Sequence, residues 1–311
     1  MAQTFDASDC ELLSWRDALG GVRKIARARL FEGGAPVPAR PLLWPSPLEE
    51  IEKPHLTDET AREADVIVVA DALVGGPGGQ PFKDKAYIYA SAAYPGYVKF
   101  WLDQAITPER WAFDPGRLSK KRVERAFGLL HFNLIWGHWL TEMFPKLFAI
   151  RAMGERGLRA PIVLPTTAPD YVFHIIQDVL PGQELVVFDP ETEYAAVRQL
   201  ILPPMLQHFY VFHPYLGEAL DTYAAPAPAP QARGRVFVSR GGMRTTYAYR
   251  EMTNEAEIEA AASDLGFDVV RPETLPWREQ LALFAGAGII AGEFGSGLHN
   301  TLFSPRGAKV V

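Results

Sequence analysis

The segment 288–303 has the sequence GIIAGEFGSGLHNTLF. Its apolar start ends in a loop with three glycines within six residues, and the loop leads directly into an amphipathic stretch. This order of features predicts a buried parallel strand, a tight turn and the start of a helix. Open α/β sheets bind ligands beyond the carboxyl ends of their strands, and the free N–H groups of a helix N-terminus favour an anion such as phosphate. The segment therefore predicts an α/β domain whose loop either binds a phosphate or serves only as a tight turn in a packed core.

The composition of the 311-residue chain, with 48% hydrophobic and 22% charged residues, is typical of a soluble globular protein of one large or two ordinary domains. Its net charge of -6 argues against a general binder of nucleic acids or of membrane surfaces. The lone cysteine, Cys10, excludes an internal disulfide framework and fits a reducing compartment. No apolar run approaches the roughly 20 residues that span a bilayer, and the N-terminus lacks a signal-peptide pattern. We therefore expect a cytoplasmic protein without a membrane span.

A stretch rich in histidine and tryptophan, 131–147, lies near the middle of the chain and leads into a predicted helix that runs to about Ala152. If His138 opens this helix, His138 and Glu142 lie one turn apart on one face. A carboxylate beside an imidazole raises its basicity and can fix its tautomer, which suits a general base. The alternative is a histidine packed in the core with its N–H satisfied. No third ligand follows at a recognisable spacing, so a metal site is not expected.

Strands and helices alternate along the first two thirds of the chain. Strands are predicted at Val66–Ala70, Ala86–Ala90, Pro161–Pro165, Glu184–Phe188 and Ala196–Leu202, and a helix at Asp170–Leu180 with His174 packed on its apolar stripe. This alternation predicts a mostly parallel sheet covered by helices. The glycine-rich loop Gly75–Gly79 fits a hairpin or a mobile connection as well as it fits a binding loop.

An alanine- and proline-rich stretch, 223–234, marks the predicted domain boundary. Alternating proline stiffens a chain into an extended linker and forbids a helix or a central strand. We therefore predict an N-terminal α/β domain at 1–222, whose first 60 residues give no clear pattern, and a C-terminal domain at 235–311. Within the latter, Asn254 and Gly266 predict the start and the end of a helix, with a capping box at the start.

The C-terminal domain carries polar residues after successive predicted strands. Arg240, Arg244 and Glu273 lie beyond strand ends, as does the loop around Gly295. In a parallel sheet these positions share one edge. Arginine binds phosphate with a planar, permanently charged fork, and a carboxylate can accept both hydroxyls of a ribose. Together the residues predict a site for a nucleoside diphosphate, while the alternative for each arginine is a surface salt bridge.

A series of short motifs follows in one order over 132–311. They are Gly137-His138-Trp139-Leu140, Glu142, Pro145-Lys146-Leu147, Phe237-Val238-Ser239-Arg240, Asn254-Glu255, Gly266-Phe267, Pro272-Glu273, Gln280 and 292–300. The series resembles glycosyltransferase family 61, whose bacterial members are often capsular polysaccharide biosynthesis proteins. The resemblance implies a GT-B-like pair of Rossmann-type domains with mostly parallel sheets. It also implies an inverting, metal-independent transfer of a hexosyl or pentosyl group, without a cofactor, from a nucleotide sugar to a glycan or other hydroxyl acceptor.

By this resemblance the C-terminal domain holds the donor and the N-terminal domain the acceptor. His138, supported by Glu142, is expected to remove the proton of the acceptor hydroxyl. The donor is expected to bind to Arg240, Arg244, Glu273, Gly295, Ser296, Gly297, His299 and Asn300. Two positions depart from the family pattern, since Phe294 replaces a common histidine and His299 replaces threonine or a similar residue. Either His299 steadies the donor phosphates instead, or the donor differs.

Two other functions remain open. One is a non-catalytic nucleotide- or glycan-binding module, a degenerate transferase. It is favoured by Phe294 and by the end of the chain at Val311, within a predicted buried strand of an incomplete C-terminal domain. The other is a different Rossmann-type enzyme such as a sugar-nucleotide epimerase. The lack of a nicotinamide fingerprint and of a Tyr-x-x-x-Lys arrangement on a suitable helix counts against the epimerase.

Overall fold

The structure is a computed structural model that describes residues 4–5, 25–33, 64–83, 86–88, 116, 118–129, 135–208, 211–224, 234–241, 253–293 and 295–311. These residues divide into two compact units. The larger unit comprises those up to Gly217 apart from Ile135–Leu140, and the smaller unit comprises Ile135–Leu140 and those from Glu218 to Val311. Residues 225–233 of the predicted linker lie outside the described residues, and the predicted domain boundaries stay a prediction.

The larger unit is built on one mixed sheet, which has nine strands among the residues described. They are β1 (Thr4–Phe5), β2 (Ile25–Phe31), β3 (Ala64–Gly75), β4 (Gln80–Lys83), β5 (Ala86–Ile88), β6 (Ser119–Gly128), β7 (Ile162–Pro165), β8 (Leu185–Phe188) and β9 (Glu193–Leu202). The order is β1-β5-β4-β3-β9-β6-β7-β8, and β2 also pairs with β3. A separate two-stranded antiparallel sheet consists of β10 (Gln207–His208) and β11 (Val211–Phe212).

Part of this sheet is parallel, as predicted, and part is antiparallel. Strands β9, β6, β7 and β8 run parallel to their neighbours in that order. Strand β3, which contains the predicted strand Val66–Ala70, runs antiparallel to β2, β4 and β9. The turn after β3 gives the reason for the β4 pairing, since Gly76 and Gly79 have φ angles of 74° and 62° and the Gly79 N–H donates to the Gly76 carbonyl at 3.0 Å. A tight turn of this kind reverses the chain, so the loop Gly75–Gly79 is a hairpin turn.

The helix predicted after the histidine-rich stretch is continuous but irregular. It consists of α1 (Trp136–His138), a π-helical turn (Trp139–Met143) and α2 (Phe144–Glu155). Pro145 has no N–H to donate to the carbonyl four residues earlier, so regular α-helical bonding is interrupted at this point. Such π-helical turns are rare and frequently lie at functional sites.

Two further helices of this part of the chain are α3 (Asp170–Val179) and α4 (Pro214–Tyr223). The predicted bounds of α3 are confirmed to within one residue. Its buried face consists of Val172, Ile175, Ile176 and Val179. His174 is exposed, so the prediction that it packs on the apolar stripe is wrong. The buried apolar face begins at Val172 and does not include His174.

The smaller unit has a parallel sheet in the order β13-β12-β14-β15, four strands within the described ranges. They are β12 (Gly234–Val238), β13 (Asp268–Val270), β14 (Ala287–Gly292) and β15 (Lys309–Val310). The connections contain α5 (Glu255–Asp264), α6 (Trp277–Gly286) and two 3₁₀ helices (Pro272–Thr274 and Ser296–Phe303). This alternation of parallel strands and helices agrees with the order predicted from the sequence.

The two predicted helix ends of α5 have different outcomes. Gly266 has a φ angle of 77°, and the N–H groups of Gly266 and Phe267 donate to the carbonyls of Ser263 and Ala262 at 2.9 and 3.0 Å. These two bonds form a Schellman motif, so the predicted C-cap is confirmed. Asn254 stands at the N-cap, but its side chain makes no capping hydrogen bond. Its φ and ψ of -118° and 30° are not the extended conformation that an N-cap side chain needs, so the predicted capping box is wrong.

The C-terminal segment forms a strand, β15, as expected, but the expectation that this strand is buried is wrong. Val310 and Val311 are 51% and 70% exposed. Strand β15 pairs with β14 through Lys309 and Val310, and no further strand among the described residues covers its other side.

Candidate functional site

The carboxyl ends of three parallel strands meet at one edge of the smaller sheet, here called the carboxyl edge. Val238 at the end of β12 lies opposite Val270 of β13 and Gly292 of β14. The residues that follow the three strands therefore lie along this edge. They are Ser239, Arg240, Gly241, Arg271, Glu273, Glu293 and the loop 295–297. The predicted placement of Arg240, Glu273 and the glycine loop after strand ends of one sheet is observed.

Arg240 packs against the glycine loop. A Cβ atom placed on Gly295 would lie 2.8 Å from Nη1 of Arg240. The Nε atom of the same guanidinium lies 4.0 Å from Oε2 of Glu293, at the outer limit of an ion pair, and the two side chains are 14% and 22% exposed. The loop thus has a partly exposed guanidinium beside it, and a guanidinium binds phosphate with both charge and directed N–H groups.

Packing accounts for two of the three loop glycines. A Cβ atom on Gly292 would lie 2.7 Å from the carbonyl oxygen of Val238, and one on Gly297 would lie 3.0 Å from a methyl group of the same valine. Gly295 differs from both because it faces the end of a flexible arginine. Its φ of 174° is ordinary extended backbone. The interpretation as a tight packed turn therefore explains Gly292 and Gly297, while Gly295 is the position that lies beside a charged group.

The loop continues into a 3₁₀ helix rather than an α-helix, and Asn300 anchors this helix. Asn300 is fully buried and its Nδ2 donates to Oε1 of Gln280 at 3.3 Å. The Nε2 atom of Gln280 donates in turn to the carbonyl of Leu275 at 2.9 Å. The Asn300 amide thus has a structural partner in α6, and its predicted contact with a donor stays a prediction.

The imidazole of His299 packs against helix α1. A Cβ atom on Gly137 would lie 3.0 Å from Cε1 and 3.1 Å from Nδ1 of His299, and 3.4 Å from the hydroxyl oxygen of Ser296. The absence of a side chain on Gly137 therefore leaves room for the ring. Nδ1 of His299 lies 3.3 Å from the Ser296 carbonyl, which can only accept, so this contact favours the tautomer with the proton on Nδ1.

The protonation of His299 depends on its surroundings in the smaller unit. Burial of the ring face against α1 lowers the pKa of His299, and the charge of His138 lowers it further. The hydrogen bonds to the carbonyls of Ser296 and Gly295 act in the opposite direction. The residue as a whole keeps an exposed face, while His138 is half-buried. The neutral form of His299 is therefore favoured near neutral pH.

Glu142, the predicted partner of His138, belongs to the larger unit, whereas His138 belongs to the smaller. Glu142 is 4% exposed, and its charge raises the pKa of Lys146. Lys146 is fully buried, and its Nζ donates to the Leu129 carbonyl at 3.4 Å. Desolvation outweighs the effect of Glu142 and lowers the pKa of Lys146 to about 7. The sequence did not reveal this interaction, and the support of His138 by Glu142 stays a prediction.

The remaining predicted residues lie at or outside the margin of the site. Glu273 is exposed, in the 3₁₀ helix that follows β13. Arg244 and Phe294 lie outside the described residues. Within the described ranges, no group of three or more histidine, cysteine, aspartate or glutamate side chains is placed to hold a metal ion.

A hydrogen-bonded group that involves both chain neighbours of Arg240 was not predicted from the sequence. Glu259 of α5 binds both Ser239 and Arg271, and Gly241 bonds to the same two residues. Glu259 is 20 positions from Ser239 and 12 positions from Arg271 in the chain. No local pattern distinguishes Glu259 from the other glutamates of α5. The sequence signal that could have indicated this group is the position of Arg271 immediately after a predicted strand.

Among known protein families, the model of Glycosyltransferase 61 matches residues 136–311, which is more than half of the chain. The chain belongs to glycosyltransferase family 61. The match contains His138 and every predicted donor residue, and it agrees with the resemblance inferred from the motifs. A comparison with curated proteins finds no match.

Membership of glycosyltransferase family 61 makes the chain a transferase that uses a sugar donor and an acceptor. The α/β architecture of both units is compatible with such an enzyme. None of the helices in the part of the chain that the structure describes is long and apolar enough to cross a lipid bilayer.

Proposed function

We propose that this family 61 chain is an inverting, metal-independent glycosyltransferase that takes a hexosyl or pentosyl group from a nucleotide sugar. The acceptor in this proposal is a glycan or other hydroxyl compound of a surface polysaccharide, bound by the larger unit. The smaller unit binds the donor, and no cofactor takes part. The observation that supports this proposal best is the convergence of Arg240 and the 295–299 segment at the carboxyl edge, with α1 packed against His299 of that segment.

The donor end of this proposal uses charge and backbone groups. The guanidinium of Arg240 and the N–H groups around Gly295 and Ser296 bind the diphosphate as it leaves with the bonding electron pair of the anomeric C–O bond. Because these groups are already fixed by packing against one another, they need little rearrangement when negative charge develops on the leaving oxygen. Arg244 and Glu273 complete the donor site in the proposal, through the phosphates and the ribose.

The acceptor end uses an imidazole. The acceptor oxygen attacks the anomeric carbon from the face opposite the diphosphate, so the configuration at that carbon is inverted. His138 takes the hydroxyl proton as the new C–O bond forms. His299 lies in the segment beside α1, and in its favoured neutral form it does not add a second positive charge next to the base.

Binding of nucleoside diphosphates tests the donor site. The Arg240→Ala variant is expected to raise the Kd for UDP, GDP or dTDP about tenfold or more, because a charge-assisted contact to phosphate is lost. Isothermal titration calorimetry measures this. Arg235→Ala is a matched control, since Arg235 lies on β12, the strand that precedes Arg240, is exposed and donates to the Leu265 carbonyl away from the carboxyl edge. Equal affinities for the two variants would refute the donor site.

Measurement of turnover tests the proposed role of His138 as the general base. The His138→Ala variant is expected to lose about a hundredfold or more in turnover while its Kd for the nucleoside diphosphate stays within about twofold. The assay follows release of nucleoside diphosphate from UDP-, GDP- and dTDP-sugars in the presence of hydroxyl acceptors. His174→Ala, at an exposed position of α3, controls for loss of a histidine as such. A protein that binds nucleotide but never transfers or hydrolyses a sugar would instead be the non-catalytic binding module.

A further inference from the structure

Glu259 connects two of the strand ends at the carboxyl edge. From helix α5 its Oε1 atom accepts a short hydrogen bond from the Ser239 hydroxyl and a second bond from Nη2 of Arg271 at 2.7 Å. Ser239 follows β12 and is 3% exposed, while Arg271 follows β13. The side chains of Arg271 and Glu259 are 39% and 22% exposed, so the bridge between them is partly shielded from water.

Gly241 closes this arrangement. Its N–H donates to the Ser239 hydroxyl at 2.9 Å, and its carbonyl accepts from Nε of Arg271 at 2.6 Å. A Cβ atom on Gly241 would lie 2.5 Å from Nη2 of Arg271 and 2.8 Å from Oε1 of Glu259. The backbone of Gly241 therefore lies close to the guanidinium–carboxylate pair, and a side chain at this position would displace the ends of both side chains. We call Ser239, Gly241, Glu259 and Arg271 the edge bracket.

Arg240 lies between two members of the edge bracket. Since Ser239 and Gly241 are both held, the peptide units on either side of Arg240 are fixed, and with them the direction in which its side chain leaves the backbone. That direction brings the guanidinium against Gly295, as described above. The bracket itself uses Arg271 as a structural cation, because its Nε and Nη2 atoms are engaged by Gly241 and Glu259.

We infer that Glu259 is a positioning residue for the donor site, which acts through the edge bracket to hold Arg240 against the glycine loop. The inference rests on the proposed function, in that Arg240 is taken to contact the donor diphosphate. It assigns to Glu259 no contact with the donor and no part in proton transfer.

The experiment compares nucleoside diphosphate affinities of full-length variants by calorimetry. Glu259→Ala is expected to raise the Kd for the nucleoside diphosphate that binds the wild type about tenfold, since two hydrogen bonds to a carboxylate are lost. Glu259→Gln keeps an oxygen that can accept both bonds, so it should restore most of the affinity. Glu257→Ala, at an exposed position on the same helix, should leave the affinity unchanged. Gly241→Ala should reproduce Glu259→Ala because its Cβ displaces the same pair.

A double variant separates positioning from an independent effect. If Glu259 acts through Arg240, then Arg240→Ala combined with Glu259→Ala should bind no more weakly than Arg240→Ala alone. Losses that multiply would overturn the inference, as would an unchanged Kd in Glu259→Ala. A wild type that binds none of UDP, GDP and dTDP would refute the proposed function instead.

Hydrogen exchange tests the edge bracket without any ligand. The Gly241 amide, which donates to Ser239, should exchange about tenfold faster in Glu259→Ala than in the wild type or in Glu257→Ala. An unchanged exchange rate would overturn the inference whether or not a nucleotide binds. Faster exchange together with an unchanged Kd would overturn the link to Arg240 while leaving the proposed function intact.

Discussion

The two units place their positive charges differently. In the larger unit Lys146 is fully buried, and desolvation lowers its pKa to about 7. In the smaller unit Arg240 and Arg271 lie at the edge of a sheet, with side chains 14% and 39% exposed. A fully buried lysine loses its hydration and part of its charge, whereas these two guanidinium side chains stay partly exposed. This contrast supports the proposal that the carboxyl-edge arginine Arg240, rather than Lys146, meets an anionic donor.

The interiors of both units contain large aromatic side chains. The larger unit buries Phe127, Phe144, Phe148 and Phe188. The smaller unit buries Trp139 and Phe284 beside smaller side chains such as Val236, and polar hydrogen bonds also connect its strand ends. The stabilisation from burying apolar surface does not depend on the orientation of the groups. Hydrogen bonds do depend on orientation, so they fix the positions of side chains while adding only modestly to stability.

The largest expected effect tests the dependence of the larger unit on apolar burial. Phe148 is fully buried and its ring meets that of Phe144 edge-on, with centroids 5.2 Å apart. Phe148→Ala should lower the free energy of unfolding by about 3–5 kcal/mol, through lost burial and the cavity that remains. Chemical denaturation measures this. A loss below about 1 kcal/mol would show that the interior can collapse around the missing ring.

Lys146 is expected to make the free energy of unfolding depend on pH. The pKa of Lys146 is lowered from 10.5 to about 7 by burial. Between these two values the unfolded chain binds more protons at this lysine than the folded chain does, so the free energy of unfolding rises with pH. The rise between pH 7 and pH 9 should be about 2 kcal/mol. Below about pH 7 the contribution of this group becomes constant.

The Lys146→Met variant isolates this contribution, because methionine has a similar volume and no charge. Denaturation at several pH values should show that the wild type gains stability relative to Lys146→Met as the pH rises from about 7 to 9. Lys120→Met, at an exposed position of β6, should follow the wild type. Parallel pH profiles for wild type and Lys146→Met would mean that Lys146 keeps an ordinary pKa, and the contrast with the edge arginines would fail.

The sequence predicted what depends on local pattern. The order of strands and helices in the smaller unit, the left-handed Gly266 and the carboxyl-edge placement of Arg240 all follow from short apolar runs and punctuating glycines. The bounds of α3 were confirmed for the same reason. The family was inferred from motifs and confirmed by the match over 136–311.

What the sequence did not predict depends on contacts between distant residues. The apolar pattern of β3 predicts a strand but not its antiparallel pairing with β9, in which Leu73 lies opposite Ala196. Glu259 looks like a solvated helix residue until the fold brings Ser239 and Arg271 to it. In both cases the partner lies outside any window in which periodicity or turn chemistry operates, so a local pattern cannot specify it.

The smallest expected effect compares a glycine of each unit. Gly292 lies on β14, where an added Cβ would meet the Val238 carbonyl oxygen at 2.7 Å and the Val238 Cβ at 3.0 Å. Both atoms belong to the paired strand β12, which cannot retreat without losing hydrogen bonds. Gly292→Ala should therefore lower the free energy of unfolding by about 1–2 kcal/mol.

Gly154, in α2 of the larger unit, is the glycine to compare with Gly292. An added Cβ on Gly154 would meet no atom within 4 Å. Gly154→Ala should raise the free energy of unfolding by about 0.5–1 kcal/mol, because alanine loses less backbone entropy in a helix than glycine does. Opposite signs in the two variants, measured by denaturation, would mean that the glycine at the carboxyl edge is required by close packing of the backbone. If Gly292→Ala were neutral, β12 and β14 would have room to separate at their carboxyl ends. The position of Arg240 would then depend on the edge bracket alone.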